Sequence, residues 1–241
     1  MEALINGARA LLNLELTPAQ VSAFQLYSDE LRAWNEKFNL TAITRPQDIQ
    51  IKHFLDSLTV LKVMATGADG GAPLRVVDVG TGAGFPGLPL KIVCPQIQLT
   101  LVEATGKKAT FCEHVAQALK LSTVTVVNAR AEEVGRRPEH RERYDWALAR
   151  AVAEMPTLAE YLLPLVRLGG HMLAQKGKDA PAETYGASKA IQKLGGELEQ
   201  IVEVELPGIA EPRYLVVLKK IAATPPRFPR RPGVPGKAPL S

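Results

Sequence analysis

Cysteine occurs twice in 241 residues, at Cys94 and Cys112, and histidine only four times. Two thiols cannot furnish a zinc site alone, and they suit a reducing compartment better than a disulfide framework. No run of about 18 apolar residues occurs, so no membrane-spanning helix is expected. The opening "MEALINGARALLNLEL" lacks a basic start followed by a long apolar block, so no signal peptide is expected and a cytoplasmic location is. Internal repeats are also missing. What remains is an ordinary globular composition. Apolar residues make up 46%, enough for a sizeable core. The net charge of +4 is compatible with an anionic partner without identifying one.

Three segments follow from the pattern. Residues 1–72 read as a helical annex. Thr17-Pro18-Ala19-Gln20 is a helix start: Thr17 as N-cap, Pro18 in the first turn and Gln20 closing a capping box. Val21, Phe24, Tyr27, Leu31, Trp34 and Phe38 then recur at helical spacing. A second helix is predicted from Gln47 to Met64, with Ile51, Phe54, Leu55, Leu58 and Leu61 inward. "TGADGGAP" (66–73) is a loop by composition. Residues 73–222 alternate between strand and helix patterns, which predicts βαβ units and a parallel sheet. Strands are expected at 74–79, 97–103, 123–128, 144–149 and 170–175. Helices are expected at 86–93, 106–120, 154–167 and near 181–194, with a short turn at 131–134. Two last strand-like runs, 197–207 and 213–220, predict an antiparallel edge pair. Residues 223–241 carry repeated prolines and arginines without an acid, and read as an extended basic tail that packs as neither helix nor central strand.

The chemistry sits in "DVGTGAGFPG" (78–87). It fits G-x-G-x-x-G, the dinucleotide fingerprint, and also D-x-G-x-G-x-G, the turn of S-adenosylmethionine (AdoMet) methyltransferases. In both readings glycines bring backbone to the ligand, and an acid ending the second strand, here Glu103, meets a ribose. Asp78 inside the first strand favours AdoMet, because a dinucleotide turn wants apolar residues there. "NARAEEV" (128–134) adds Ala131 and Glu132 at the carboxyl edge of the sheet, where an adenine could be held. The helical annex and the antiparallel final pair point the same way.

The motifs "WNEKFNLTAI" (34–43), "HFLDSL" (53–58), "DVGTGAGFPGLPLKIV" (78–93), "GKKATFCEHV" (106–115), "RAEE" (130–133), "ARAVA" (149–153) and "RYLVVLKK" (213–220) span nearly the whole chain. On them the sequence resembles the RsmG (GidB) family of bacterial ribosomal RNA guanine-N7 methyltransferases. The resemblance implies a Rossmann-like class I AdoMet methyltransferase fold: a seven-stranded, mostly parallel sheet with an antiparallel last strand. It implies AdoMet as cofactor, S-adenosylhomocysteine as product, and 16S rRNA or a small-subunit precursor as partner. No membrane partner and no metal are expected, and the chain is expected to be a monomer. The cofactor residues are Asp78, Gly80, Gly82, Gly84, Phe85, Glu103, Ala104, Thr105, Ala131, Glu132 and Arg150.

Guanine N7 offers its lone pair without losing a proton, so this chemistry needs alignment and electrostatics more than a base. Marks of other base methylations are missing. "ARAVAEMP" stands where exocyclic-amine enzymes carry Asn/Asp-Pro-Pro-Tyr, and no nucleophilic cysteine lies there. Arg150, at the end of the fourth strand, is the catalytic candidate: it positions the guanine through O6 or a phosphate, or else forms a structural salt bridge. Lys107, Lys108 and Arg213 are the RNA-binding candidates, against solvated charges. His53 is either a ligand or a structural hydrogen-bonding group, and Asn39 either a cap or a pocket residue. In the tail, Phe228 stacks on a base or the segment wraps the surface. An NAD(P)-linked oxidoreductase and a non-catalytic assembly factor remain as alternatives.

Overall fold

The computed structural model describes residues 1–64 and 72–241, so most of the expected 66–73 loop lies outside the described residues. Seven strands form one sheet in the order β3-β2-β1-β4-β5-β7-β6. They are β1 Arg75–Val79, β2 Gln98–Val102, β3 Val124–Val127, β4 Tyr144–Arg150, β5 Val166–Lys176, β6 Gly196–Val204 and β7 Arg213–Lys220. The pairs β1–β2, β2–β3, β1–β4 and β4–β5 are parallel, and β7 runs antiparallel between β5 and β6. This is the expected seven-stranded α/β sheet. The order reverses between β1 and β4, and at such a switch point the loops leaving the two strands diverge and open a crevice.

Alternation along β1 sends neighbouring residues into separate cores. Val76 joins Leu99, Leu101 and Leu148 on one face, whereas Val77 and Val79 join Ala147 and Ala149 on the other. With helices covering both faces, the strands read as apolar runs.

The first face is closed by the N-terminal helices. The Pro18–Phe38 helix starts as expected: Thr17 accepts from the Gln20 N–H, and Gln20 Oε1 accepts from the Thr17 N–H at 2.9 Å. Such a cap contributes about 1 kcal/mol. Phe24, Tyr27 and Leu31 are fully buried, while Phe38 at the end of the stripe is exposed. Tyr27 stacks on Phe85 at 5.3 Å, and its hydroxyl donates to the Ala83 carbonyl. The annex therefore shares one core with the sheet. The second expected helix is present but irregular: Ile49–Leu55 is wound as π-helix and Thr59–Lys62 as 3₁₀. Short π segments are frequent at functional sites.

Two expectations are corrected in the middle of the chain. The helix expected over 154–167 ends at Leu162, because Val166 already pairs with Tyr144, and β4–β5 register shifts between Tyr144 and Trp146. The expected 181–194 helix is two, Ala180–Gly186 and Ser188–Lys193.

The tail is corrected most. It is not a free basic extension. Phe228 is 3% exposed inside the second core, and Val234–Lys237 forms one helical turn. Burying a phenyl ring stabilises by about 2–3 kcal/mol. Arg230 makes a two-pronged ion pair with the fully buried Glu160, at 2.6 and 2.9 Å. Arg141 donates to the carbonyls of Thr224, Pro225 and Phe228. Phe228 is consequently unable to stack on a base.

Candidate functional site

The turn after β1 begins at Gly80, and three glycines with positive φ shape it: 68° at Gly80, 62° at Gly82 and 96° at Gly84. They do different work. A Cβ on Gly84 would press within 2.4 Å of Leu88 and 2.5 Å of the Tyr27 hydroxyl, so that glycine permits close packing. A Cβ on Gly82 would meet nothing within 4 Å, so Gly82 faces open space. Cofactor contact was expected at both; only Gly82 and Gly80 line the cleft.

The acids around the turn organise it from below and beside. Asp78 is fully buried and lies outside the cleft lining. Its Oδ2 accepts from Thr81 Oγ1 at 2.6 Å and from the Gly87 N–H at 2.8 Å. Burial pushes its pKa up to about 6 against the pull of those two donors. Of the carboxylate expected at the cofactor, Oδ2 is used within the turn on residues 81 and 87, whereas Oδ1 is buried without a hydrogen-bond partner among the described residues. Glu103 stands just past β2. One oxygen accepts from the Gly82 N–H at 2.9 Å and the other from the Thr105 N–H at 2.7 Å. Each oxygen keeps a second lone pair for a diol. Ala104 and Thr105 are exposed beside it.

Ala131 begins the short Ala131–Val134 helix past β3, and is half-buried. Glu132, expected at an adenine, is 2% exposed and accepts from the Gly233 N–H of the tail at 2.8 Å. Its carboxylate ties the tail down, leaving the backbone of this turn as the surface at the sheet edge.

A cleft of about 470 Å³ opens where β1 and β4 part. Gly80 to Ala83 and Phe85 form its floor, with Arg150 at the end of β4 and Ala151 just past it, Gln175 and Lys176 at the end of β5 and Gly177 just past it, Arg213 from β7, and His53 and Asp56 from the annex. The two segments that carried the resemblance outside the sheet, 34–43 and 53–58, turn out to build one wall. Asn39 has φ 50° and ends the Pro18–Phe38 helix, which settles it as a cap. Asn35 Oδ1 then accepts from the Thr41 N–H, and Thr41 Oγ1 sits 2.9 Å from His53 Nε2.

His53 and Arg150 form one network. Arg150 donates to Asp56 Oδ2 at 2.8 Å and, at 3.3 Å each, to the carbonyls of Lys52 and His53. A second nitrogen lies 3.3 Å from His53 Nδ1. Guanidinium can only donate, so Nδ1 accepts and the imidazole proton sits on Nε2, toward Thr41. His53 lies parallel to Phe85 at 4.4 Å, and Arg150 caps the same ring from 5.1 Å. Burial, reinforced by the Arg150 charge, drives the His53 pKa down to about 3. His53 is therefore a neutral hydrogen-bonding wall residue. The salt bridge considered for Arg150 exists, and it holds the guanidinium in the cleft.

Of the three RNA-binding candidates, Lys108 and Arg213 line the cleft, whereas Lys107 is exposed outside it. Cys94 and Cys112 are buried, and burial raises both thiols, Cys94 to about 11. Asp56 and Gln175 were not singled out as site residues. Asp56 is visible in "HFLDSL" only as a neighbour of His53, and nothing local marks Gln175. Among the described residues no group of His, Cys, Asp and Glu forms a metal-binding cluster.

An open glycine turn, a ribose-type acid and a switch-point cleft are general features, and the comparisons with known proteins give them a family. A solved AdoMet-dependent methyltransferase of Aquifex aeolicus covers 76% of this chain and 97% of its own with TM-score 0.54 and 17% identity, a likeness in fold. The ribosomal RNA small subunit methyltransferase G of Roseiflexus sp. (strain RS-1) is 50% identical over 240 residues, covering 100% of both chains. That of Chloroflexus aggregans is 48% identical over 227 residues, covering 94% of this chain and 93% of its own. The family model described as rRNA small subunit methyltransferase G matches residues 20–210, a stretch that holds every lining residue of the cleft except Arg213, and the chain belongs to that GidB family.

Proposed function

We propose that the cleft binds AdoMet against the 80–85 turn and directs methylation to N7 of a guanine in 16S rRNA. The observation that carries this reading is the meeting of Gly82 and Arg150 across the switch point. An unobstructed backbone turn from β1 faces a fixed guanidinium from β4 in one cleft.

The residues suit AdoMet. Gly82 leaves the volume that any side chain would fill, and Glu103 supplies acceptors for a ribose diol beside it. Gly80, Phe85, Ala104, Thr105 and the backbone at Ala131 complete the proposed cofactor surface. Asp78 and Glu132 support it from within the protein, and Gly84 allows the turn to pack. Bound AdoMet supplies an electrophilic methyl group on a sulfonium centre.

The chain's own task is to hold a purine in line and to withhold water. Arg150 is the residue proposed to touch the base, through O6, which adjoins N7. Its position is fixed by Asp56, by two carbonyls and by His53, so little reorganisation accompanies binding. No residue need take a proton from N7, and the neutral, buried His53 is consistent with that. Lys108 and Arg213 at the cleft, with Lys107 outside it, are proposed to meet phosphates. No described helix is long and apolar enough to cross a membrane. We take the chain to act as a cytoplasmic monomer on 16S rRNA or a small-subunit precursor, with segments 1–72 and 223–241 buttressing a 73–222 catalytic domain.

The test is transfer of labelled methyl from AdoMet to small-subunit rRNA from cells lacking the gene, with N7-methylguanine mapped by strand scission. One new N7-methylguanine in 16S rRNA is expected. Absence of label, or label confined to another base or atom, would overturn the proposal.

A further inference from the structure

The turn at residues 80–85 carries three glycines at positive φ, the residue type that restrains a backbone least. Its shape must be imposed by neighbours. The N–H groups are settled close by. Those of Gly84 and Phe85 donate to the Thr81 carbonyl at 3.0 and 2.9 Å, and that of Gly82 donates to Glu103. The carbonyls of Gly82 and Ala83 are held by more distant parts of the chain. Cys112 Sγ, on the Gly106–Ala118 helix, lies 3.4 Å from the Gly82 carbonyl and is a weak donor. The Ala83 carbonyl accepts from the Tyr27 hydroxyl, its only hydrogen-bond partner among the described residues.

Tyr27 belongs to the Pro18–Phe38 helix of the annex and is fully buried. Burial drives its phenol pKa well above the ordinary value, so the hydroxyl keeps its proton and donates. The annex also grips Phe85: the Tyr27 ring stacks on it at 5.3 Å and the His53 ring at 4.4 Å. Both neighbours of Gly84 are thus held from the annex, Ala83 by its carbonyl and Phe85 by its ring. Gly84 between them has no room for a Cβ, which would stand 2.5 Å from the Tyr27 hydroxyl. Ala83 and Phe85 line the cleft, whereas Tyr27 does not.

We propose that Tyr27 is a positioning residue for AdoMet: its hydroxyl fixes the 83–84 peptide and holds the cofactor turn in its binding shape without touching the ligand. This rests on the AdoMet site proposed above and deepens it, by making the annex part of that site. Without the hydroxyl the Ala83 carbonyl is left buried and unpaired, a cost that rotation of the 83–84 peptide relieves. Glycine at position 84 admits that rotation, which breaks the Gly84 N–H bond to Thr81. AdoMet must then select the restored turn, and its apparent affinity falls with the fraction of protein that keeps it. The turn meets AdoMet alike before and during transfer, so the loss appears in KM rather than in kcat.

The experiment compares full-length wild-type protein with Tyr27→Phe, which removes one oxygen and keeps the ring. Phe24→Leu is the control: it weakens the same helix at a ring that packs on Phe54 at 5.0 Å. AdoMet affinity is read by calorimetry, methylation on 16S rRNA from cells lacking the gene, and backbone exchange by NMR. In Tyr27→Phe the Kd and KM for AdoMet should rise at least about tenfold, with kcat and the RNA KM within about threefold of wild type. The Gly84 amide should exchange faster in that variant without ligand. Phe24→Leu should keep AdoMet affinity within about threefold. An AdoMet Kd within about threefold of wild type in Tyr27→Phe would overturn the inference. So would an equal loss in Phe24→Leu, the mark of a general weakening of the annex, or a rise in RNA KM as large as that for AdoMet. Wild-type protein that binds neither AdoMet nor S-adenosylhomocysteine would instead reject the underlying functional reading, and the inference with it.

Discussion

Arg150 and Asp56 meet at 2.8 Å with only 13% and 8% of their side chains exposed, joining the end of β4 to the irregular helix of the annex. Neither is spent on a surface ion pair of the weak kind. The pair fixes the guanidinium above Phe85 and leaves one carboxylate oxygen over. Arg150→Met is expected to lower methylation kcat/KM at least about 100-fold. It also strands Asp56, at a stability cost of about 2–3 kcal/mol. Steady-state methylation alongside a urea melt checks both; activity within fivefold of wild type rejects the role.

His53 should titrate abnormally. Its folded pKa of about 3 lies below the ordinary 6.5, so the unfolded chain takes up a proton between those values and the folded protein does not. Stability is therefore lost as pH falls from about 6.5 toward 3, by up to about 1.4 kcal/mol per pH unit. A His53→Gln variant lacks this term. The wild-type-minus-variant difference in unfolding free energy should decline over that window and be flat above pH 7. A flat difference throughout would contradict a buried neutral His53.

The same imidazole reports on its neighbour. Removing the Arg150 charge removes a repulsion and frees Asp56 to attract a proton, so the His53 pKa should rise in Arg150→Met. Nitrogen-15 shifts should show the Nε2–H tautomer in the wild-type protein at pH 6, and a higher midpoint in the variant. No movement of the midpoint would place Arg150 elsewhere.

Gly82 and Gly84 should separate binding from folding. Alanine at either position adopts a left-handed backbone at a cost of about 1 kcal/mol. At Gly84 the added methyl also drives into Leu88 and Tyr27, so Gly84→Ala should be the less stable by a further 1–3 kcal/mol, roughly. Gly82→Ala should fold, yet lose about tenfold or more in AdoMet affinity because its methyl enters the cleft. Calorimetric titration and melting curves distinguish the two; unchanged affinity in Gly82→Ala would remove the turn from the cofactor site.

The tail offers a stability test. Arg230→Ala leaves the buried Glu160 with a single backbone donor, the residue 230 N–H at 2.7 Å. A loss of about 2 kcal/mol is expected, less than for a fully enclosed pair because Arg230 keeps a quarter of its side chain exposed. At this chain length that is roughly 4–8 °C in Tm. RNA affinity should change little; a large loss of RNA binding at unaltered Tm would restore the tail to the RNA-binding role considered from its composition.

The sheet was legible because its signals are local. β-rich runs, a proline at a helix start and Gly82 followed by Gly84 each state their structure within a few residues. Thr17 and Gln20 cap as their spacing requires. What escaped depends on partners far along the chain. Phe228 looks like a free aromatic in a proline-rich stretch until it is seen inside the second core. Glu132 looks available until Gly233 arrives. Asp56 and Gln175 are ordinary residues that only the fold brings together beside Arg150, one across an ion pair and the other in register on β5, which no spacing reveals.

The cleft draws its lining from Leu40 in the annex through to Arg213 at the start of β7, the last strand along the chain. Its walls cannot be assembled by any fragment of the chain shorter than residues 40–213. Between β5 and β6 the sheet is joined only by β7, the strand that carries Arg213. A protein stalled or clipped before residue 213 would thus expose two unpaired strand edges, prone to aggregation, and would hold an incomplete site. Appearance of methyltransferase activity during refolding should coincide with closure of the whole sheet, so that activity serves as a probe of complete folding.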